Sequence, residues 1–185
     1  MNEPVGDDRP SSEKGGELQA LASRFVNAGI TPDSTPHRMP SVQWHDGLET
    51  NLGSCFNICR SVIESMRASK FGRIVNIGSI NSQAGQYGQG NYATAKSGTH
   101  GFTKALAQEG AKAGITVNAV APGYVDTYMV RAVPENVLEK IVASIPIGRL
   151  GRAGDIAHTV KFLVADDADF ITGSSLLANG GHHMY

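Results

Sequence analysis

The stretch GRIVNIGSINSQAGQYGQGNYATAKSGTHGFTKALAQEGAKAGITVNAVAPG, residues 72–123, decides the fold. It opens on Gly72-Arg73-Ile74-Val75-Asn76-Ile77-Gly78, a short β-branched run that reads as a buried strand ending in small polar residues. Tyr92 to Ala113 is helical by composition, with Ala95, Phe102, Leu106 and Ala107 sharing a face. Ile115 to Ala121 is a second buried strand, stopped by Pro122-Gly123. Strand, helix and strand in this order make a βα unit, which implies a parallel sheet covered on both faces.

Working outward, Trp44 to Met66 places Leu48, Leu52, Cys55, Cys59, Val62, Ile63 and Met66 at three- and four-residue steps, a helix with one apolar face. Downstream, Pro134 to Ser144 and Ala153 to Ala165 read as helices, and Ser174 to Ala178 as a last short strand before Asn179-Gly180-Gly181. Upstream, LQALASRFV, residues 18–26, fits a helical turn or a strand equally well over so few residues. Residues 1–17 are rich in Pro, Gly, Ser and charge and hold almost nothing apolar, so a tail is expected there and a folded domain over 18–185.

The 185 residues carry 41% hydrophobic content, enough for one globular domain with a sizeable core. A net charge of -1, without a cluster of Lys and Arg, argues against a nucleic-acid partner. No apolar run approaches the roughly 18–20 residues needed to span a bilayer, and the expectation is a cytoplasmic protein with no membrane partner. Cys55 and Cys59 stack one turn apart as expected core fillers, and the six histidines show no zinc-type spacing, so no metal is expected.

Tyr92 and Lys96 stand at i and i+4, on one helix face. Reducing a ketone with hydride requires a proton for the nascent alkoxide, and a tyrosine donates it more readily when a fixed positive charge favours its phenolate. Ser79, at the end of the strand, can hydrogen-bond the carbonyl oxygen where negative charge develops. A Tyr-xxx-Lys pair alone is weak evidence, since a solvated Lys beside a partly buried Tyr is the commoner case. Here the Gly-ended strand, the opening of the helix at Tyr92 and the strand ending in Pro-Gly converge on one place.

Asn27-Ala28-Gly29, Asn51, Gly78-Ser79, Tyr92-xxx-Lys96, Asn118 and Pro122-Gly123 resemble, in order, the signatures of the short-chain dehydrogenase/reductase family, over about residues 25–185. That resemblance implies a Rossmann-type doubly wound α/β fold, a dimer or tetramer of identical chains, and NAD or NADP as cofactor. It implies Tyr92 as catalytic acid, Lys96 as the residue that lowers its pKa and binds the nicotinamide ribose, Ser79 as carbonyl holder, and Asn51 as the holder of a relay water. Asn27, Ala28 and Gly29 would line the adenosine side of the cofactor, and Pro122, Gly123, Val125 and Thr127 the nicotinamide and pyrophosphate. The helices Gly47 to Met66 and Tyr92 to Ala113 match the family's main association surface.

Within the family, residues 85–92, Pro122-Gly123-Tyr124 and the ending Asn179-Gly180-Gly181-His182-His183-Met184 are most similar to the branch that reduces acetoacetyl-CoA with NADPH in polyhydroxybutyrate synthesis. Gln86, Tyr87, Gln89 and Tyr124 match that branch's acyl-CoA site; an exposed polar loop is the alternative for the glutamines. The 3-oxoacyl-carrier-protein reductases share most of the pattern.

The chain departs from the family at its start. Members open with a strand, a T-G-x-x-x-G-x-G turn and a helix, and only 26 residues precede Asn27, where one βαβ unit needs about 30. Val26 also stands where a second Asn is usual. The expectation is therefore a sheet incomplete at the N-terminus, with the glycine cradle for the pyrophosphate absent and NADPH against NADH left open. Two functions stand at this point: a reductase of 3-oxoacyl-CoA or acyl-carrier-protein substrates, and a non-catalytic remnant acting through subunit association.

Overall fold

The computed structural model describes residues 23–26 and 29–184. The expected tail, residues 1–17, lies outside them. Four parallel strands form one sheet in the order β1 (Ser23–Val26), β2 (Gly72–Ile77), β3 (Ile115–Pro122), β4 (Ser175–Ala178). The segment left open between helix and strand supplies β1, and the deciding interaction is long-range, Ser23 to Val26 pairing with Arg73 to Asn76. In the centre, Gly72 to Ile77 pairs with Ile115 to Val120, and β4 closes on Ala119 to Pro122.

Period-two alternation sorts the central side chains. Ile74, Ile115 and Val117 face one layer, packed with Cys59, Met66, Leu106 and Ala107. Val75, Ile77 and Val120 face the other, packed with Leu163 and the partly buried Ile156 and Val160. The first layer is α2 (Ser54–Ser69) and α4 (Gly90–Gly110); the second is α7 (Ala153–Leu163). Helices on both faces explain why β2 is buried at every residue, Arg73 and Asn76 included. This is the expected α/β architecture of Rossmann type.

The expected helix from Trp44 to Met66 is longer and interrupted. It begins as α1 (Ser41–Leu48), passes through a π-helical turn over Glu49–Gly53, and continues as α2. Among the described residues three further α-helices follow, α3 (Asn81–Ala84), α5 (Tyr128–Arg131) and α6 (Glu135–Ser144), with 3-10 turns at Ala111–Ala113 and Asp166–Ala168. Two left-handed turns feed the central strands side by side, Lys70 at φ 55° before β2 and Gly114 at φ 70° before β3. A Cβ at Gly114 would collide with the Lys70 carbonyl, so close packing as well as φ requires glycine there.

Candidate active site

All strands point their carboxyl ends the same way, and the loops leaving them bring the predicted residues to one end of the sheet, where open α/β sheets bind ligands. Ser79 follows β2 by two residues and is buried; its Oγ accepts from the Asn81 N–H at 3.1 Å. Tyr92 is the third residue of α4 and half-buried, with its phenol within electrostatic reach of the Ser79 hydroxyl. Burial pushes that phenol above its ordinary pKa, the Ser79 hydroxyl pulls it back, and the charge of Asp33 pushes it up. Tyr92 is therefore protonated at neutral pH.

One turn on, Lys96 is only 3% exposed. Its Nζ lies 5.8 Å from the centre of the Tyr92 ring and donates to the Ile77 carbonyl at 2.8 Å. Burial pulls its pKa down, partly offset by Cys55. An ammonium has three donors, and the Ile77 carbonyl engages one.

Asn51 sits in the π-helical turn, fully buried, and its side chain grips the loop after β1. Nδ2 donates to the Ile30 carbonyl at 2.9 Å and the Gly47 carbonyl at 2.8 Å, while Oδ1 accepts from the Ile30 N–H at 3.2 Å. A Cβ at Gly29 would fall 3.0 Å from Asn51 Oδ1 and 3.8 Å from Lys96 Nζ, so the loop passes both groups closely. Asn27 and Ala28 lie outside the described residues.

Pro122 ends β3 and its carbonyl accepts from the Ile80 N–H at 3.1 Å, joining the exits of β2 and β3. Gly123 donates to Ala178 at 3.1 Å, and a Cβ there would meet Asn179 Cβ at 2.8 Å. Val125 forms an isolated bridge with Gly151, and Thr127 caps α5 by accepting from the Val130 N–H at 3.4 Å.

Of the expected acyl-CoA residues, Gln86 and Tyr87 are exposed, Tyr87 by 87%. Gln89 has both ends of its amide engaged, accepting from Asn81 Nδ2 at 2.9 Å and donating to Asp33 Oδ2 at 3.0 Å. Tyr124 lies further round, its ring 5.5 Å from that of His182. Sequence reasoning missed Asp33, Asn81, His100 and His182. His100 carried a signal, because 92, 96 and 100 repeat at four-residue steps along one helix stripe.

Among the described residues no three His, Cys, Asp or Glu side chains gather as metal ligands, and no helix is long and apolar enough to cross a membrane.

Residues 12–183 match the family model described as enoyl-(acyl carrier protein) reductase. The chain is 58% identical over 156 residues to an acetoacetyl-CoA reductase of Shinella zoogloeoides, spanning 84% of this chain and 65% of that protein. With an acetoacetyl-CoA reductase of Cupriavidus necator it shares 49% over 177 residues, 96% of this chain and 70% of the relative. It is 47% identical over 169 residues to the 3-oxoacyl-[acyl-carrier-protein] reductase FabG of Escherichia coli, 91% of this chain and 68% of that one. The chain thus spans about two thirds of the length of these relatives. With the sheet, the converging Ser79, Tyr92 and Lys96, and these matches together, the chain belongs to the short-chain dehydrogenase/reductase family.

Proposed function

We propose that the protein reduces the keto group of a 3-oxoacyl-CoA, acetoacetyl-CoA above all, using NADPH. The observation that carries this reading is the placement of the Tyr92 phenol, beside the Ser79 hydroxyl and one turn from the buried Lys96, at the carboxyl end of β2. Ser79 Oγ orients the substrate carbonyl, and Tyr92 Oη delivers the proton that the developing alkoxide needs. Lys96 stabilises the phenolate left behind and offers its remaining donors to the ribose hydroxyls of the cofactor. The glycine at position 29 fits such a group, since a side chain there would fill the space beside Lys96 and Asn51. Bound NADPH supplies the hydride that the carbonyl carbon accepts.

The remaining roles follow from position. Asn51 and Lys96 both border Gly29, which supports a relay water between them that returns a proton to Tyr92. Pro122 at the end of β3, with Gly123, Val125 and Thr127 in the loop that follows, borders the nicotinamide and pyrophosphate, with Asn27, Ala28 and Gly29 on the adenosine side. Gln86, Tyr87 and Tyr124 form the acyl-CoA rim, and Gln89 shapes it through its bonds to Asn81 and Asp33. A 3-oxoacyl-carrier-protein substrate is the second reading, favoured by the 47% identity to FabG. We place the reductase in the cytoplasm, in polyhydroxybutyrate synthesis, as a homo-oligomer joined through the groove between α1, α2 and α4, where Leu52, Phe56 and Phe102 lie. Residues 18–185 would be its domain and 1–17 a tail.

NADPH oxidation by the purified protein with acetoacetyl-CoA, run beside Tyr92→Phe, tests the reading. Loss of about a hundredfold or more in kcat with NADPH binding retained is expected. Equal rates in the two proteins would remove Tyr92 as proton donor.

A further inference from the structure

His100 lies two turns beyond Tyr92 on α4 and is 9% exposed, yet nothing in the chemistry proposed above uses it. Its imidazole packs directly against the exit of β2, where a Cβ at Gly78 would fall 2.8 Å from Nε2 and 2.9 Å from Cε1. Both ring nitrogens are engaged. Nε2 stands 2.8 Å from Ser82 Oγ, and Nδ1 stands 2.7 Å from Ser175 Oγ on β4. Ser82 in turn reaches back to Ser79, its Oγ and its N–H both donating to the Ser79 carbonyl.

The direction of these bonds is fixed by donor counting. Ser82 spends its one hydroxyl proton on the Ser79 carbonyl, so its oxygen must accept from the imidazole, which puts the ring proton on Nε2. Nδ1 of a neutral ring is then an acceptor, and Ser175 supplies the hydroxyl proton. The order is Ser175 O–H to Nδ1, Nε2–H to Ser82 Oγ, and Ser82 O–H to the carbonyl of Ser79. Burial and the charges of Lys104 and Lys96, one turn on either side of the ring along α4, hold His100 below its ordinary pKa and keep it in the neutral form this order requires; the Ser79 carbonyl opposes them weakly.

We propose that His100 is a positioning residue, holding the Ser79 main chain through Ser82 so that Ser79 Oγ meets the Tyr92 phenol. The inference rests on the reading of Ser79 as the residue that orients the reacting carbonyl. It makes β4, through Ser175, part of the support beneath the site, and it accounts for a glycine at position 78, where any side chain would displace the ring. The relay touches neither substrate nor cofactor; it sets where the serine stands.

Glutamine and asparagine separate the two ring nitrogens. His100→Gln places an amide N–H near Nε2 and can still donate to Ser82, His100→Asn reaches only the Nδ1 position, and His100→Leu removes both. Two readouts are made on each protein: the titration of Tyr92, followed by 13C NMR of labelled tyrosine, and kcat with KM for reduction of acetoacetyl-CoA by NADPH. His100→Asn and His100→Leu are expected to raise the Tyr92 pKa, as Ser79 leaves the phenol, and to lower kcat by about tenfold or more. The KM for NADPH should stay within about twofold, and His100→Gln should resemble the unmodified protein in both readouts. If His100→Leu leaves the Tyr92 titration unchanged, or if His100→Gln is as damaging as His100→Leu in a folded protein, the proposal is overturned. Should His100→Leu fail to fold, Ser82→Ala cuts the same path from the other side and must shift Tyr92 likewise. Should the unmodified protein show no reduction of acetoacetyl-CoA, the functional reading fails and the tyrosine titration alone decides the positioning role.

Discussion

At the scale of single residues, the site balances two opposing effects on one phenol. Burial holds Tyr92 in its protonated form, and the Ser79 hydroxyl favours its ionised form. Removing that hydroxyl leaves burial and the Asp33 charge unopposed. Ser79→Ala is therefore expected to move the Tyr92 titration further above the 10.0 of an ordinary phenol, a shift read directly by tyrosine 13C NMR. A titration that moves down instead would mean that the hydroxyl hydrogen-bonds the protonated phenol more strongly than the phenolate. Stability follows with a definite sign: a phenol whose folded pKa is raised binds its proton more tightly than in the unfolded chain, so its contribution is present below pH 10 and is lost as pH rises through the folded value. His100 behaves oppositely. Its folded pKa is lowered, so the contribution of its neutral form is present above the ordinary 6.5 and is lost as pH falls below that value.

At the scale of elements, the central pair β2 and β3 depends on the two left-handed turns that precede it. Gly114→Ala adds a Cβ against the Lys70 carbonyl at a φ that disfavours it, and the expected cost is about 2 kcal/mol, seen as a fall of roughly 4–8 °C in a thermal melt followed by circular dichroism. An unchanged melting temperature would show that the turns separate freely. Elements like these were legible because their signals are local: β-branched runs for β2 and β3, an apolar stripe for α2, and a Tyr-xxx-Lys step for α4. β1 was not, since four residues, SRFV, carry too short a pattern and only pairing with Arg73 to Asn76 decides them. The π-helical turn was equally hidden, because no residue type demands it and its Asn51 is held by a carbonyl and an N–H 21 residues away. Tyr92 and Lys96 could be proposed from their spacing and Ser79 from its place after a strand; the bonds that occupy Gln89 could not, because Asn81, at the start of α3, and Asp33, in the loop after β1, reach it from separate segments.

At the scale of the whole molecule, Cys55 and Cys59 lie in the layer between α2 and α4, both 2% exposed, with the Cys59 thiol pushed up to about 12 by burial and by Cys55. Neither thiol is reachable until that layer opens. Alkylation by iodoacetamide, followed by mass spectrometry in rising denaturant, should therefore track the loss of the whole fold, and rapid labelling in native buffer would assign α2 to a segment that opens by itself. The same layer is tied to the sheet through Asn51. Its amide presents one donor and one acceptor to the N–H and C=O of Ile30, as a neighbouring strand would, so at a single residue a helix plays the part of a sheet edge. Two opposed bonds set a register, and the chain leaving β1 has no freedom to slide along α1 and α2 by even one residue. Asparagine carries its donor and its acceptor on separate atoms of one planar group; an aspartate of the same shape would set two acceptors face to face and release the chain that the cofactor is proposed to meet.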